Sequence, residues 1–190
     1  MKKVILVHGW DGSPENAWFP WLRENLIKNE FEVIVPAMPN PSQPNIAMWI
    51  KQIGDSVKEI DEQTYFVGHG IGCQAVARFL EKVSDGKKVG GVVFVAGFFQ
   101  KLNNEDDDEI DKEIANDWLK APINFAKVAS HIHKSLAIFS DDDPVVPLVN
   151  IDDFRDKLGC KIIIEKNKGH FDDYAKVLEL QSVLDFLLKK

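Results

Sequence analysis

The chain has 190 residues, 45% of them hydrophobic, enough for one domain with a sizeable core. A formal net charge of −7 argues against a nucleic-acid backbone as partner. No stretch approaches the roughly 18 apolar residues that a membrane span requires, and Met1-Lys2-Lys3 precedes too short an apolar run for a signal peptide.

Lys3–Val7 reads as a buried strand, ended by His8-Gly9-Trp10-Asp11-Gly12. Ser13 and Pro14 can open a helix, and Trp18, Trp21, Leu22, Leu26 and Ile27 recur at helical spacing over Asn16–Lys28. Glu32–Val35 is a second strand. Pro36, Pro39, Pro41 and Pro44 then make a stiff loop. An amphipathic helix follows over Ile46–Ile60, with Ile46, Trp49, Ile50, Ile53, Val57 and Ile60 on one face. Tyr65–Val67 is the third strand, Ile71–Val83 its helix, and Gly91–Ala96 a Val-rich fourth strand suited to burial on both faces. Asn103–Glu113 is strongly acidic. Beyond it Trp118, Leu119, Pro122, Ile123, Phe125, Val128 and Ile132 belong to one or two short helices. Ser135–Phe139 is a fifth strand, Ser140-Asp141-Asp142-Asp143-Pro144 a turn, Leu148–Leu158 a helix and Lys161–Glu165 a sixth strand. Lys168-Gly169-His170-Phe171 is a loop, and Tyr174–Leu188 reads as a closing amphipathic helix. No internal repeat, linker or low-complexity tract interrupts residues 1–190, which are expected to form a single domain. Strands alternating with helices call for an α/β fold: a three-layer α/β/α sandwich around a doubly wound parallel sheet of about six strands.

Such sheets work at the carboxyl ends of their strands, near the switch point. The residues there are His8-Gly9-Trp10, Gly70, Asp143 and His170. Tyr65-Phe66-Val67-Gly68-His69-Gly70-Ile71-Gly72 runs from strand through a tight turn into the helix from Cys73. That is the layout of the nucleophile elbow, Gly-x-Ser-x-Gly, with both outer glycines present at Gly68 and Gly72 and glycine in the middle at Gly70. Acyl transfer needs a nucleophile, a base oriented by an acid, and donors for the oxyanion. The chain order nucleophile, acid, histidine is matched by position 70, Asp143 and His170, with Asp143 placed to accept the imidazole N–H and fix its tautomer.

Each piece also has a plainer reading. The glycine turn could cradle a phosphate, but it follows the third strand and its spacing differs from Gly-x-Gly-x-x-Gly. Asp143 could be a turn residue before proline and His170 a loop histidine. His69 reads as a packed, hydrogen-bonded histidine. Cys73, a turn beyond the elbow, should point away from His170, and Cys73 and Cys160, in no Cys-x-x-Cys pair, read as buried reduced thiols of a cytoplasmic protein. His131 and His133 lack a third ligand for a metal. Asn104, Asp106 and Asp108 begin a calcium-loop spacing, but Glu109 stands where glycine is needed and Ala115 where the bidentate glutamate belongs. No metal or cofactor is expected.

The chain resembles the small serine hydrolases of the retinoblastoma-binding-protein-9-like family, a compact branch of the α/β-hydrolases without a large cap. The resemblance spans nearly the whole length. It rests on His8-Gly9-Trp10-Asp11-Gly12, Met38-Pro39 with Pro41, Gly68-His69-Gly70-Ile71-Gly72, Ser140-Asp141-Asp142-Asp143-Pro144 and Gly169-His170-Phe171. It implies hydrolysis of small carboxylic esters or amides through a Ser-Asp-His triad. Carried over by position, Gly70 occupies the nucleophile site, Asp143 is the acid and His170 the base. The backbone N–H groups of Trp10 and Ile71 are the oxyanion donors, and Trp10 and Trp118 are candidates to line an acyl pocket. Glycine at position 70 leaves three readings open: a hydrolase whose serine has been replaced and which is expected to be inactive as it stands, a non-catalytic binding module, and slow hydrolysis by water that His170 activates.

Overall fold

Short segments rich in Val, Ile, Leu and Phe form the strands, and the computed structural model describes residues 1–57, 59–103 and 108–189. In chain order the elements are β1 Lys3–Val7, α1 Phe19–Lys28, β2 Glu32–Ile34, α2 Ile46–Ser56, β3 Thr64–His69, α3 Ile71–Glu81 and β4 Gly91–Val95. Then come α4 Glu109–Lys120, α5 Phe125–Ser130, β5 Ser135–Ser140, β6 Lys161–Glu165 and α6 Gln181–Leu188. The strands make one parallel sheet in the order β2-β1-β3-β4-β5-β6. Ile5 of β1 is flanked by Ile34 on one side and Phe66 on the other. Chain progression reverses on either side of β1, so the switch-point crevice lies at the carboxyl ends of β1 and β3.

The central strands are buried on both faces, which explains the apolar runs of β1 and β4 and of Tyr65–Val67 within β3. On one face Ile5, Val7, Phe66 and Phe94 pack against Trp49, Ile53, Val76, Leu80, Trp118 and Phe154. On the other, Val4, Leu6, Val67 and Val93 meet Trp18, Phe19, Leu22 and Leu26 with Val183, Leu184 and Leu187. Polar caps fix where helices begin: Asn45, Asp108 and Asn124 accept the N–H of Met48, Asp111 and Lys127. Among the described residues no helix is long and apolar enough to cross a membrane.

Several helices are shorter than their periodicity predicts. The first begins at Phe19, because Ala17 has φ 49° and gives its N–H to Asp173 instead of to a helical turn. The second ends at Ser56, and Val57 is extended while still burying its side chain. The predicted helix over Leu148–Leu158 is a continuous helical segment of mixed winding, 3₁₀ at Leu148–Asn150, α at Ile151 and Asp152, and π at Asp153–Lys157. Within it the fully buried amide of Asn150 accepts the N–H of Phe99, Gln100 and Lys101 and donates to the carbonyls of Lys101 and Pro147. The final helix covers only Gln181–Leu188. Asp173 is drawn off to Asn16 and Ala17, Asp172 accepts the Ala175 N–H, and Phe171 and Lys176 both have φ 55°, so the segment before α6 is a chain of turns. Asn104 and Asp106 of the acidic stretch lie outside the described residues. Asp108 caps α4, Glu109 is its first residue and Ala115 is buried on its inner side.

Gly72 is where α3 meets β1. A Cβ there would stand 2.5 Å from the Val7 carbonyl oxygen and 2.6 Å from that of His8. Both obstacles are backbone. Gly72→Ala is expected to cost about 1–3 kcal/mol or more, read as a lower urea midpoint at unchanged slope. An unchanged midpoint would show that β1 and α3 separate freely.

Candidate active site

β3 hands over to α3 through Gly70, whose backbone has φ 53° and ψ −121°. Side chains seldom adopt that conformation, and the strand-to-helix turn demands it. The turn is tied down on both sides. The Gly70 N–H donates to Val95 O at 2.9 Å, and the Cys73 N–H donates to Gly70 O at 3.1 Å. A Cβ on Gly68 would sit 2.8 Å from Cys73 N, so the outer glycines at 68 and 72 permit the helix to start this close to the sheet.

His170 and Asp143 come together across the ends of β5 and β6. His170 Nδ1 lies 3.0 Å from Asp143 Oδ2 and 3.2 Å from Oδ1. The Asp143 side chain is only 2% exposed, and its Oδ1 also accepts the N–H groups of Val145 and Val146. A carboxylate only accepts, so in the neutral ring the proton sits on Nδ1 and the Nε2 lone pair is left free. That nitrogen faces the elbow: a Cβ built on Gly70 would be 3.2 Å from it, and the next nearest group is Gly9 Cα at 3.9 Å.

The loop that carries His170 is held by the acidic turn after β5. Asp141 Oδ1 accepts the Asn167 N–H, Ser140 Oγ accepts that of Lys168, and Asp142 Oδ1 accepts that of Gly169. Ser140 Oγ donates to Asp142 Oδ1 at 2.6 Å. This hydroxyl, with the Gly169 N–H, holds the Asp142 carboxyl below its usual range. From beneath, His69 Nε2 contacts His170 O at 2.7 Å, and the two rings lie 4.9 Å apart, tilted by 38°. Only a protonated Nε2 can donate to a carbonyl, which fixes the His69 tautomer. Trp18 closes the far side, with its indole N–H on Phe171 O and its ring edge-on to His69.

The loop after β1 forms the opposite wall. The Met38 N–H donates to His8 Nε2, so Nδ1 carries the proton that His8 gives to Gly9 O. Burial lowers the His8 pKa and keeps this ring neutral. Trp10 is half-buried, its indole N–H on Ser42 O. Among the described residues the backbone N–H of Trp10 donates to no protein acceptor, nor does that of Ile71, which sits in the first turn of α3 where helical donors lack partners. Trp118 is placed differently. It is 1% exposed, hydrogen-bonded to Pro44 O, and packed edge-on against Trp49, which in turn abuts His8. It floors a cleft of about 290 Å³ with Pro44, Ile46, Ile110 and Ile114 and is not among the groups nearest Gly70.

Cys73 aims its sulfur at Gly68 O and Val95 O, and burial drives its pKa far upward. Cys160 is pushed up to about 12, also by burial. Both are structural thiols rather than nucleophiles. His131 is buried against Lys87 O, whereas His133 is exposed. Among the described residues no cluster of three His, Cys, Asp or Glu could hold a metal ion.

The sheet order and the strand–turn–helix layout are those of an α/β-hydrolase fold, and a family model for serine hydrolases matches residues 4–189; the chain belongs to that family. YdeN of Bacillus subtilis is 28% identical over 186 residues, 98% of this chain and 94% of the relative. The crystal structure of the ydeN gene product superposes with a TM-score of 0.89, covering 98% of this chain and 97% of that one. Serine hydrolase RBBP9 of Rattus norvegicus is 24% identical over 174 residues, 90% of this chain and 88% of the relative. Est1E from Butyrivibrio proteoclasticus, solved with ferulic acid bound, shares the fold at a TM-score of 0.75 and 15% identity, over 99% of this chain and 88% of that one.

Burial, reinforced by the neighbouring His170, pushes the His69 pKa from 6.5 down to about 3. The folded protein therefore refuses a proton that the unfolded chain accepts. This contribution to stability is complete above about pH 6.5 and is lost as pH falls toward about 3, by at most about 1.4 kcal/mol per pH unit. Urea unfolding at pH 7 and pH 4.5 should show a smaller acid loss for His69→Gln than for the unaltered protein. Equal losses would contradict a buried neutral His69.

Proposed function

We propose that this chain is a serine-hydrolase scaffold for small carboxylic esters or amides in which glycine occupies the nucleophile position, so that it forms no acyl-enzyme. One observation carries the reading: the free lone pair of His170 Nε2 faces position 70 at 3.2 Å from where a Cβ would stand, with Asp143 behind the ring. A serine there would pass its hydroxyl proton to Nε2 as its oxygen attacked the acyl carbon. Asp143 would stabilise the imidazolium, and the Trp10 and Ile71 N–H groups would take the oxyanion. The stretch of chain that frames this chemistry is otherwise complete, which favours a replaced nucleophile over general decay of the site.

Glycine has no side chain to acylate. The protein is therefore expected not to label with a fluorophosphonate and to lack ping-pong turnover; loss of the nucleophile in such enzymes costs on the order of a millionfold in kcat. Gly70→Ser should gain both labelling and ping-pong hydrolysis of p-nitrophenyl acetate with an initial burst, and Gly70→Ser/His170→Ala should lose them. The new Cβ would press on Nε2, so the ring must retreat by a few tenths of an ångström. The disfavoured backbone at φ 53° should cost the variant about 1–3 kcal/mol of stability. A folded Gly70→Ser protein that neither labels nor turns over would favour the second reading, a hydrolase-like binding module, for which Gly70 itself is the supporting observation.

A further inference from the structure

We infer that this chain hydrolyses activated esters in a single step, with water rather than the protein as the nucleophile, and that glycine at position 70 is what gives water access to the base. The inference rests on the hydrolase reading of the site. It starts from the geometry around His170 Nε2. Asp143 fixes the Nδ1–H tautomer, so Nε2 is a hydrogen-bond acceptor. Its loop is held at three successive N–H groups and again at the His170 carbonyl, so the ring is aimed whether or not a serine is present. Position 70 puts no side chain on the elbow side of Nε2, and Gly9, whose Cα would lie 3.9 Å from a Cβ there, puts none beside it. An oxygen can therefore approach this lone pair within ordinary hydrogen-bond distance. Any larger residue would bring a carbon to 3.2 Å from Nε2 and cover the base with its methyl or methylene group. Serine compensates by offering its own oxygen; alanine would only block.

The step balances without a co-reactant beyond water. The water oxygen forms a bond to the acyl carbon as one of its protons passes to Nε2. The carbonyl π electrons move to the oxygen, which the Trp10 and Ile71 N–H groups take. Collapse of the tetrahedral species breaks the bond to the leaving group, which departs with the proton returned from Nε2. The products are the acid and the alcohol, and no acyl group is ever attached to the protein. Such a route forgoes the division into two easier steps, so it favours good leaving groups. What remains is general-base catalysis, typically worth 10²–10⁴-fold.

The test compares hydrolysis of p-nitrophenyl acetate by the protein as it stands with that by His170→Ala, Gly70→Ala and Gly70→Ser, all purified in parallel and checked for folding by circular dichroism. The inference predicts that the unaltered protein exceeds His170→Ala by at least about tenfold, with no initial burst of nitrophenol and no acetyl adduct by intact-mass spectrometry. Gly70→Ala should fall toward His170→Ala. Its positive φ carries strain, so Asp143→Asn, which upsets the tautomer without touching the elbow, serves as the second variant and should also fall. If Gly70→Ser hydrolyses the ester but the unaltered protein merely equals His170→Ala, the hydrolase reading stands and the water route is wrong. If neither protein exceeds His170→Ala, both fall. A folded Gly70→Ala protein as active as the unaltered one, or an acetyl adduct on the latter, would also overturn the inference.

Discussion

The site depends on one steric constraint: the N-terminus of α3 approaches the ends of β1 and β3 so closely that positions 68 and 72 cannot carry a Cβ. At Gly72 the obstacle is the carbonyl oxygens of Val7 and His8, and at Gly68 it is the backbone of Cys73. Neither can move without breaking the sheet or the helix. This contact puts position 70 at the apex of the turn, against the loop after β1, with the first N–H groups of α3 unpaired beside it. The loop after β6 then needs only to reach across for His170 to face that apex.

That reach is secured by electrostatics rather than by apolar burial. The turn after β5 offers Ser140, Asp141, Asp142 and Asp143 in succession. Three of them collect the N–H groups of residues 167–169, and the fourth holds the imidazole. An acidic turn that would repel itself in isolation is thus neutralised by a row of backbone donors and one ring N–H. His69, kept neutral by burial, supports the same loop from below. None of these contacts involves the residue at position 70. That independence explains how the pairing of Asp143 with His170 stands with glycine at position 70, and it underlies both functional readings advanced above.

Much of this was legible in the sequence. Apolar runs such as Val4-Ile5-Leu6-Val7 are buried on both faces and can hardly be anything but parallel strands. That Gly70, Asp143 and His170 come together could be expected, because their chain order and their places after strands follow from the fold. The limit of the first helix was hidden because a polar side chain captures backbone from far away in sequence: Asp173 binds the N–H of Ala17, 156 residues away. Periodicity carries no trace of such contacts. For the same reason Asp141 and Asp142 read only as turn residues, although they position the histidine loop 26 and 27 residues further on. Trp118 showed its size and apolarity but not its place, which its hydrogen bond to Pro44, 74 residues away, decides.

The central claim concerns the His170 tautomer: whenever the ring is neutral, its proton sits on Nδ1, held by Asp143, and an unprotonated Nε2 turns toward position 70. Long-range ¹H–¹⁵N correlation spectra of the unaltered protein, with His170 assigned by its absence in His170→Ala, report this directly. The account predicts an Nδ1–H tautomer for His170 that is lost or mixed in Asp143→Asn. An Nε2–H tautomer, or one unaffected by Asp143→Asn, would contradict it.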